Sequence, residues 1–259
     1  MKTNFHISLL QIPLHWEAPD RNRKSIEHYL EQIQSPLDLL LFPEMFTSGF
    51  TMQPQQVAES MKGPTISWMK KWSKKLDAAL GGSLVIEEAG LYYNRFIIVT
   101  PSEEVFYYDK RHTFTLAGED KVYQKGSNSG LFQYKGWTFC MRICYDLRFP
   151  VWSRNTKDYD VLLYVANWPE PRIHAWDTLL QARAIENLSY VVGLNRIGSD
   201  NNNHNYPGHS AVYDPLGHLM SPAHFIESGW IKVELNFESL QEQRKQLRFL
   251  EDRDSFELY

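Results

Sequence analysis

Two short runs constrain the fold more than anything else in this chain: Leu37 to Phe42 and Val161 to Ala166 are almost continuously apolar. A strand with one wet face alternates apolar and polar residues, so a run without alternation needs cover on both faces. Segments of helical period supply that cover. Ahead of the first run, Ile26, Tyr29, Leu30 and Ile33 recur at i, i+3, i+4 and i+7, with Asp20 expected as N-cap and Ser35-Pro36 as the stop. Behind the second, Ile173 to Asn187 reads as one long helix. The pattern predicts a layered α/β chain.

The same order runs through both halves of the sequence. Phe5, Ile7 and Leu9 alternate in an opening strand, and Pro64 begins a helix with Ile66, Met69, Trp72 and Leu76 on one side. Strands follow at Ala79 to Ile86, Arg95 to Thr100 and Val105 to Tyr108. A second set comprises strands at Leu131 to Tyr134 and Thr138 to Ile143, a helix near Phe149 to Arg154, and strands at Tyr190 to Leu194, Ala211 to Tyr213 and Trp230 to Val233. The polar stretch Gly198 to Gly208 is the best candidate break, but strand patterns resume beyond it, so residues 1–259 are expected to form one domain. From about residue 236 the tail is charged and reads as a solvated helix; its end, Phe256-Glu257-Leu258-Tyr259, is apolar enough to dock on a partner subunit.

A net charge of −4 and a pI near 6.1 give no long-range pull toward nucleic acid or an anionic membrane. The first residues lack a signal-peptide core, and no stretch approaches the roughly 18 apolar residues of a membrane span. A cytoplasmic protein acting on a small molecule is expected. Cys140 and Cys144 would lie about 13 Å apart on one extended strand, too far to form a disulfide. Two reduced thiols fit that compartment.

Three reactive groups each follow a strand candidate directly: Glu44, Lys110 and Cys144. Only a thiolate attacks carbon, and it needs a base or positive neighbours to form near neutral pH. If the groups converge, Cys144 can serve as nucleophile, Glu44 as general base, and Lys110 with the Tyr145 backbone N–H as oxyanion donors. Glu119, nine residues past Lys110, can hold the ammonium.

The motifs around these residues resemble those of the nitrilase superfamily of carbon–nitrogen hydrolases. Phe42-Pro43-Glu44-Met45-Phe46 is similar to its glutamate motif, Tyr108-Asp109-Lys110-Arg111-His112 to its lysine motif, and Cys144-Tyr145-Asp146-Leu147-Arg148-Phe149-Pro150 to its cysteine motif, in the family's order. Tyr93-Asn94, the segment Gln181 to Asn187 and the segment Gly208 to Gly217 extend the likeness over nearly the whole chain. The resemblance implies a four-layer α-β-β-α sandwich and a homodimer or higher homo-oligomer. It also implies amide hydrolysis through a thioester on Cys144, with no metal or organic cofactor.

Glu44 to Phe50, Arg148 to Asn155 and Tyr164 to Pro169 resemble the bacterial omega-amidase branch, which implies 2-oxoglutaramate or 2-oxosuccinamate as the substrate. Deaminated peptide amides, carbamoyl amino acids and nitriles are the alternatives, and a non-catalytic, redox-sensing member of the fold is a further one. Phe114, Asn167 and Trp168 are expected at the pocket mouth. Arg142 departs from the branch and, by strand alternation, shares a face with Cys144, where it would lower the thiol pKa or meet a substrate carboxylate; the competing reading pairs it with an acid. Asp146 and Arg148 are expected to pair across the turn after Cys144, and Arg183, Glu186 and Asn187 to be structural. His209 is expected either at the pocket or as support for its loop. The nine histidines show no metal-type spacing, and serine-hydrolase, nucleotide-loop and zincin motifs are missing from the sequence.

Overall fold

The computed structural model describes residues 2–33 and 36–258. Its first half runs β1 (Asn4–Gln11), α1 (Pro19–Leu30), β2 (Leu39–Leu41), α2 (Pro64–Leu76), β3 (Ala79–Glu88), β4 (Leu91–Val99) and β5 (Val105–Asp109). The second half runs β6 (Leu131–Tyr134), β7 (Trp137–Ile143), α3 (Pro150–Ser153), β8 (Val161–Ala166), α4 (Ile173–Asn187) and β9 (Tyr190–Asn195). After these come β10 (Ile197–Ser199), β11 (Asn205–Pro207), β12 (Ala211–Tyr213), β13 (Gly229–Asn236) and α5 (Phe237–Leu247).

One sheet has the order β13-β1-β2-β3-β4-β5 and the other β12-β9-β8-β7-β6, with β10 and β11 forming a separate ribbon. In each large sheet the middle strands pair in parallel, β1 to β2 to β3 and β7 to β8 to β9, while the outer pairs are antiparallel. The parallel centres explain the continuous apolar runs: strands joined by crossover segments are covered on both faces.

The buried residues sort into layers. Ile7, Leu9, Leu41, Phe96 and Ile98 of the first sheet meet Phe139, Met141, Leu163, Val165 and Val192 of the second in a shared central core. Ile26 and Leu30 of α1 and Ile66, Met69 and Trp72 of α2 cover the outer face of the first sheet. Trp176, Leu180 and Ala184 of α4 cover the outer face of the second. This is the expected α-β-β-α sandwich, and each large side chain it buries contributes about 1.5–3 kcal/mol against the entropy of ordering the chain.

Two local expectations need correction. Asp20 lies inside α1 rather than capping it; Pro19 opens the helix at its first turn, where no N–H is needed, and Asp20 pairs with Arg23. Of the expected stop, Ser35 lies outside the described residues. The C-terminal helix is not merely solvated: Leu240 is buried in the central core, Phe237 packs on Trp137 at 5.2 Å, and Arg244 is held by Asp160 at 3.0 Å. Beyond it Arg253 bonds Asn155 and Asp158 of the same chain, and half-exposed Phe256 and Leu258 line a cavity with Cys140 and Arg142.

Candidate active site

The carboxyl ends of β2, β5, β7 and β8 open toward one cleft, and Glu44, Lys110, Cys144 and Asn167 follow those strands. Glu44 is carried by a tight turn with Met45 at φ +45°, and the Met45 N–H donates to Ser83 Oγ at 2.8 Å. Gly82 lets that turn lie flat on β3, since a Cβ there would sit 2.7 Å from the Phe46 ring. Cys144 sits at the junction of β7 and a 3₁₀ helix, Cys144–Arg148, with φ +44°. This left-handed backbone, costing on the order of 1–3 kcal/mol in a non-glycine residue, turns the thiol out of the strand's alternation.

The surrounding turn is held firmly. Asp146 accepts from the Ile143 N–H at 3.0 Å, the Tyr108 hydroxyl at 2.8 Å and His112 Nδ1 at 2.8 Å. Arg183 donates to the Leu147 carbonyl at 2.7 Å and pairs with Glu186 at 2.9 Å, so α4 braces the same turn from outside.

Lys110 joins the two carboxylates. Its Nζ lies 3.0 Å from Glu44 Oε1 and 2.9 Å from Glu119 Oε2, and all three side chains are essentially unexposed. Burial favours a neutral amine, but Glu119 and Glu44 outweigh it and raise the Lys110 pKa, so the ammonium persists. Burial pushes the Glu119 pKa up, with Lys110 opposing. Glu119 also accepts from the Phe114 N–H at 2.5 Å. Glu44 Oε2 accepts from the Asn167 N–H at 2.8 Å, while the Asn167 side chain donates to the Glu44 carbonyl at 2.7 Å.

The Cys144 thiol lies 3.9 Å from the Asn167 carbonyl oxygen, and its pKa is raised well above the ordinary range. Burial is the main cause; the Glu44 and Glu119 charges add to it, and Lys110 only partly offsets them. These effects favour the protonated thiol. A nucleophilic role for this thiol requires a base to take its proton, and Glu44 lies beside it.

Cys144, Lys110, Phe114, Tyr145, Asn167 and Trp168 all line a cavity of about 480 Å³, a volume suited to a small ligand. Arg142 does not join them. It donates to the carbonyls of Ser129 at 2.8 Å, Met141 at 2.7 Å and Trp152 at 2.6 Å, and its guanidinium lies over the Trp152 ring at 4.9 Å. The turn-out at Cys144 is the reason: the alternation that would have put both side chains on one face ends at Ile143. Among the described residues Arg142 pairs with carbonyls, not with an acid.

The expected Asp146–Arg148 pair is likewise not formed. Arg148 is exposed, lines the cavity and lies 5.0 Å over the Trp168 ring. Arg172 does the same over Phe114 at 5.2 Å. Neither guanidinium has a carboxylate partner among the described residues. Asn94 was also missed as a positioning group. It donates to Glu44 Oε1 at 2.7 Å and Glu119 Oε1 at 3.3 Å and accepts from the Ser83 hydroxyl at 2.8 Å. Asn94 belongs to the Tyr93-Asn94 match, and its place beside Arg95 in β4 gives no periodic signal of the role.

Comparison with known proteins bears on the family and the fold. Residues 6–245 match the model of the carbon–nitrogen hydrolase family. The chain is 42% identical to omega-amidase YafV of Yersinia enterocolitica, over 96% of this chain and 97% of that protein. It is 33% identical to the 2-oxoglutaramate amidase of Bacillus subtilis, over 95% and 96%. The crystal structure of a CN-hydrolase superfamily protein from Xanthomonas campestris, with an arsenic adduct in its active site, superposes with a TM-score of 0.96 at 38% identity over 100% of both chains. The chain belongs to the carbon–nitrogen hydrolase family.

Proposed function

We propose that this protein is an omega-amidase that hydrolyses the terminal amide of a short 2-oxo dicarboxylic acid monoamide, 2-oxoglutaramate or 2-oxosuccinamate. The observation that carries the reading is a cavity-lining thiol beside a buried ammonium held between two carboxylates. The names of these relatives support the substrate class.

As Cys144 Sγ bonds to the amide carbon, Glu44 takes the thiol proton. The carbonyl electrons move to oxygen, where Lys110 Nζ and the Tyr145 N–H receive them; Tyr145 lies in the first turn of the 3₁₀ helix, whose N–H groups have no acceptor within it. Glu44 passes the proton to nitrogen, the C–N bond breaks, and ammonia leaves a thioester. Water then attacks with Glu44 as base, the C–S bond breaks, and the proton returns to sulfur. Glu119 anchors Lys110 throughout, and Asn167 orients Glu44.

Arg148 and Arg172 are the cations available at the cavity wall for the carboxylate of such a substrate, and their aromatic platforms hold them in place. Ammonia release should be measured across ω-amides, N-carbamoyl acids, nitriles and a neutral short amide. The 2-oxo ω-amides should lead, Cys144→Ala should abolish turnover, and Arg148→Ala should raise KM for acid-bearing substrates more than for the neutral amide. Preference for a nitrile would overturn the assignment.

A further inference from the structure

Away from that cavity, three metal-binding side chains far apart in sequence converge: Asp177 on α4, His209 before β12, and His224 before β13. His209 Nδ1 lies 3.0 Å from Asp177 Oδ2 and 3.3 Å from His224 Nδ1, and His224 Nδ1 lies 3.7 Å from the same Oδ2. A tetrahedral ion with bonds of about 2.0–2.1 Å holds its ligand atoms roughly 3.3–3.4 Å apart. The observed triangle brackets that edge. We propose that Asp177, His209 and His224 form a binding site for a divalent transition-metal ion of the zinc type, with solvent at the fourth position beside the exposed His224.

Hydrogen bonding alone serves the cluster poorly. His209 Nδ1 faces both the carboxylate and His224 Nδ1, yet one ring nitrogen either donates a single proton or offers a single lone pair. A cation accepts all three lone pairs at once.

The neighbours hold the three groups in place before any ion arrives. Trp176, adjacent to Asp177, donates its indole N–H to the His209 carbonyl at 2.8 Å. The His209 N–H donates to the Phe225 carbonyl at 2.8 Å, tying the two histidine segments together. Gln11, fully buried, donates to the Phe225 and Glu227 carbonyls at 2.9 Å and accepts from Ser210 Oγ at 2.6 Å, so it grips the residues next to both histidines. Both histidines have left-handed backbones, φ +60° and +47°, which aim their rings at each other. An ion here would clip the segment before β13 to α4, on the outer side of the second sheet, and would take no part in the amide chemistry.

The test uses chelator-treated full-length Cys144→Ala protein, so that the active-site thiol cannot supply a competing ligand. Titration with zinc sulfate should give one ion per chain and a higher melting temperature. Cobalt chloride should give visible d–d absorption of low coordination number without a sulfur charge-transfer band. His224→Ala and Asp177→Asn should each weaken binding by at least about tenfold, a loss that even an outer-shell partner can cause. His224 is exposed, so its variant should fold, and in the Cys144 background the same change should leave amide turnover unaltered. Undiminished affinity in His224→Ala, or no stoichiometric uptake of either metal, overturns the site.

Discussion

Replacing Lys110 by Met keeps the side chain's length and removes its charge from between Glu44 and Glu119. At 2.9–3.0 Å and an effective dielectric of about 20, each carboxylate attracts the ammonium by roughly 6 kcal/mol. Most of this offsets the cost of burying the ions, several kcal/mol each. Removing the cation leaves that cost uncompensated, with two carboxylates now repelling each other. The expected loss is about 3–5 kcal/mol, as for other broken buried ion pairs, out of a total of about 5–15. Urea denaturation of wild type, Lys110→Met, Glu119→Gln and the double variant measures it as a cycle. The double variant should regain at least about half of the Lys110→Met loss. The penalty should also shrink as pH falls, because the stranded carboxylates take up protons. A Lys110→Met loss below about 1 kcal/mol, or strict additivity with Glu119→Gln, would refute the reasoning, since either result means the three charges are not coupled.

Three further outcomes follow from the site and its surroundings. Asn94→Ala removes two hydrogen bonds to carboxylates, each worth about 1.5–3 kcal/mol to a charged group; kcat should fall roughly 10–100-fold with KM little changed, and an unaltered kcat would remove Asn94 from any positioning role. Because burial and the two glutamates raise the Cys144 pKa, its alkylation by iodoacetamide should keep accelerating beyond pH of about 8.5, whereas a plateau near neutrality would indicate a preformed thiolate. Burial alone would raise the Asp38 pKa, but the His6 N–H and the Lys135 and Lys2 ammoniums hold it below its usual value. Its stabilisation is thus present above the unfolded pKa of about 3.9 and is lost as pH falls through the lower folded value. Asp38→Asn should cost about 1 kcal/mol at pH 7, a modest figure because both lysines are partly solvated, and the difference from wild type should vanish in acid; a deficit that persists at pH 2 would contradict the linkage.

The sequence by itself determined the layered architecture and the reactive groups at strand ends. Both are written in short-range patterns: apolar runs that demand two-sided cover, helical periods beside them, and Glu44, Lys110 and Cys144 just beyond the ends of β2, β5 and β7. Tertiary structure decided what most of the site's charged groups face, because those partners lie far apart along the chain. Glu44 meets Lys110 66 residues away and Asn167 123 residues away, distances at which periodicity carries no information. Arg142 shows the limit most directly. Strand alternation assigned it to the thiol's face, and one left-handed residue at position 144 turned the thiol aside and left the guanidinium to three carbonyls. The same reason hid Arg148 at the cavity wall and the meeting of Asp177 with His209 and His224. Backbone dihedrals at single positions and packing between distant elements set these contacts, and neither leaves a repeat that the sequence displays.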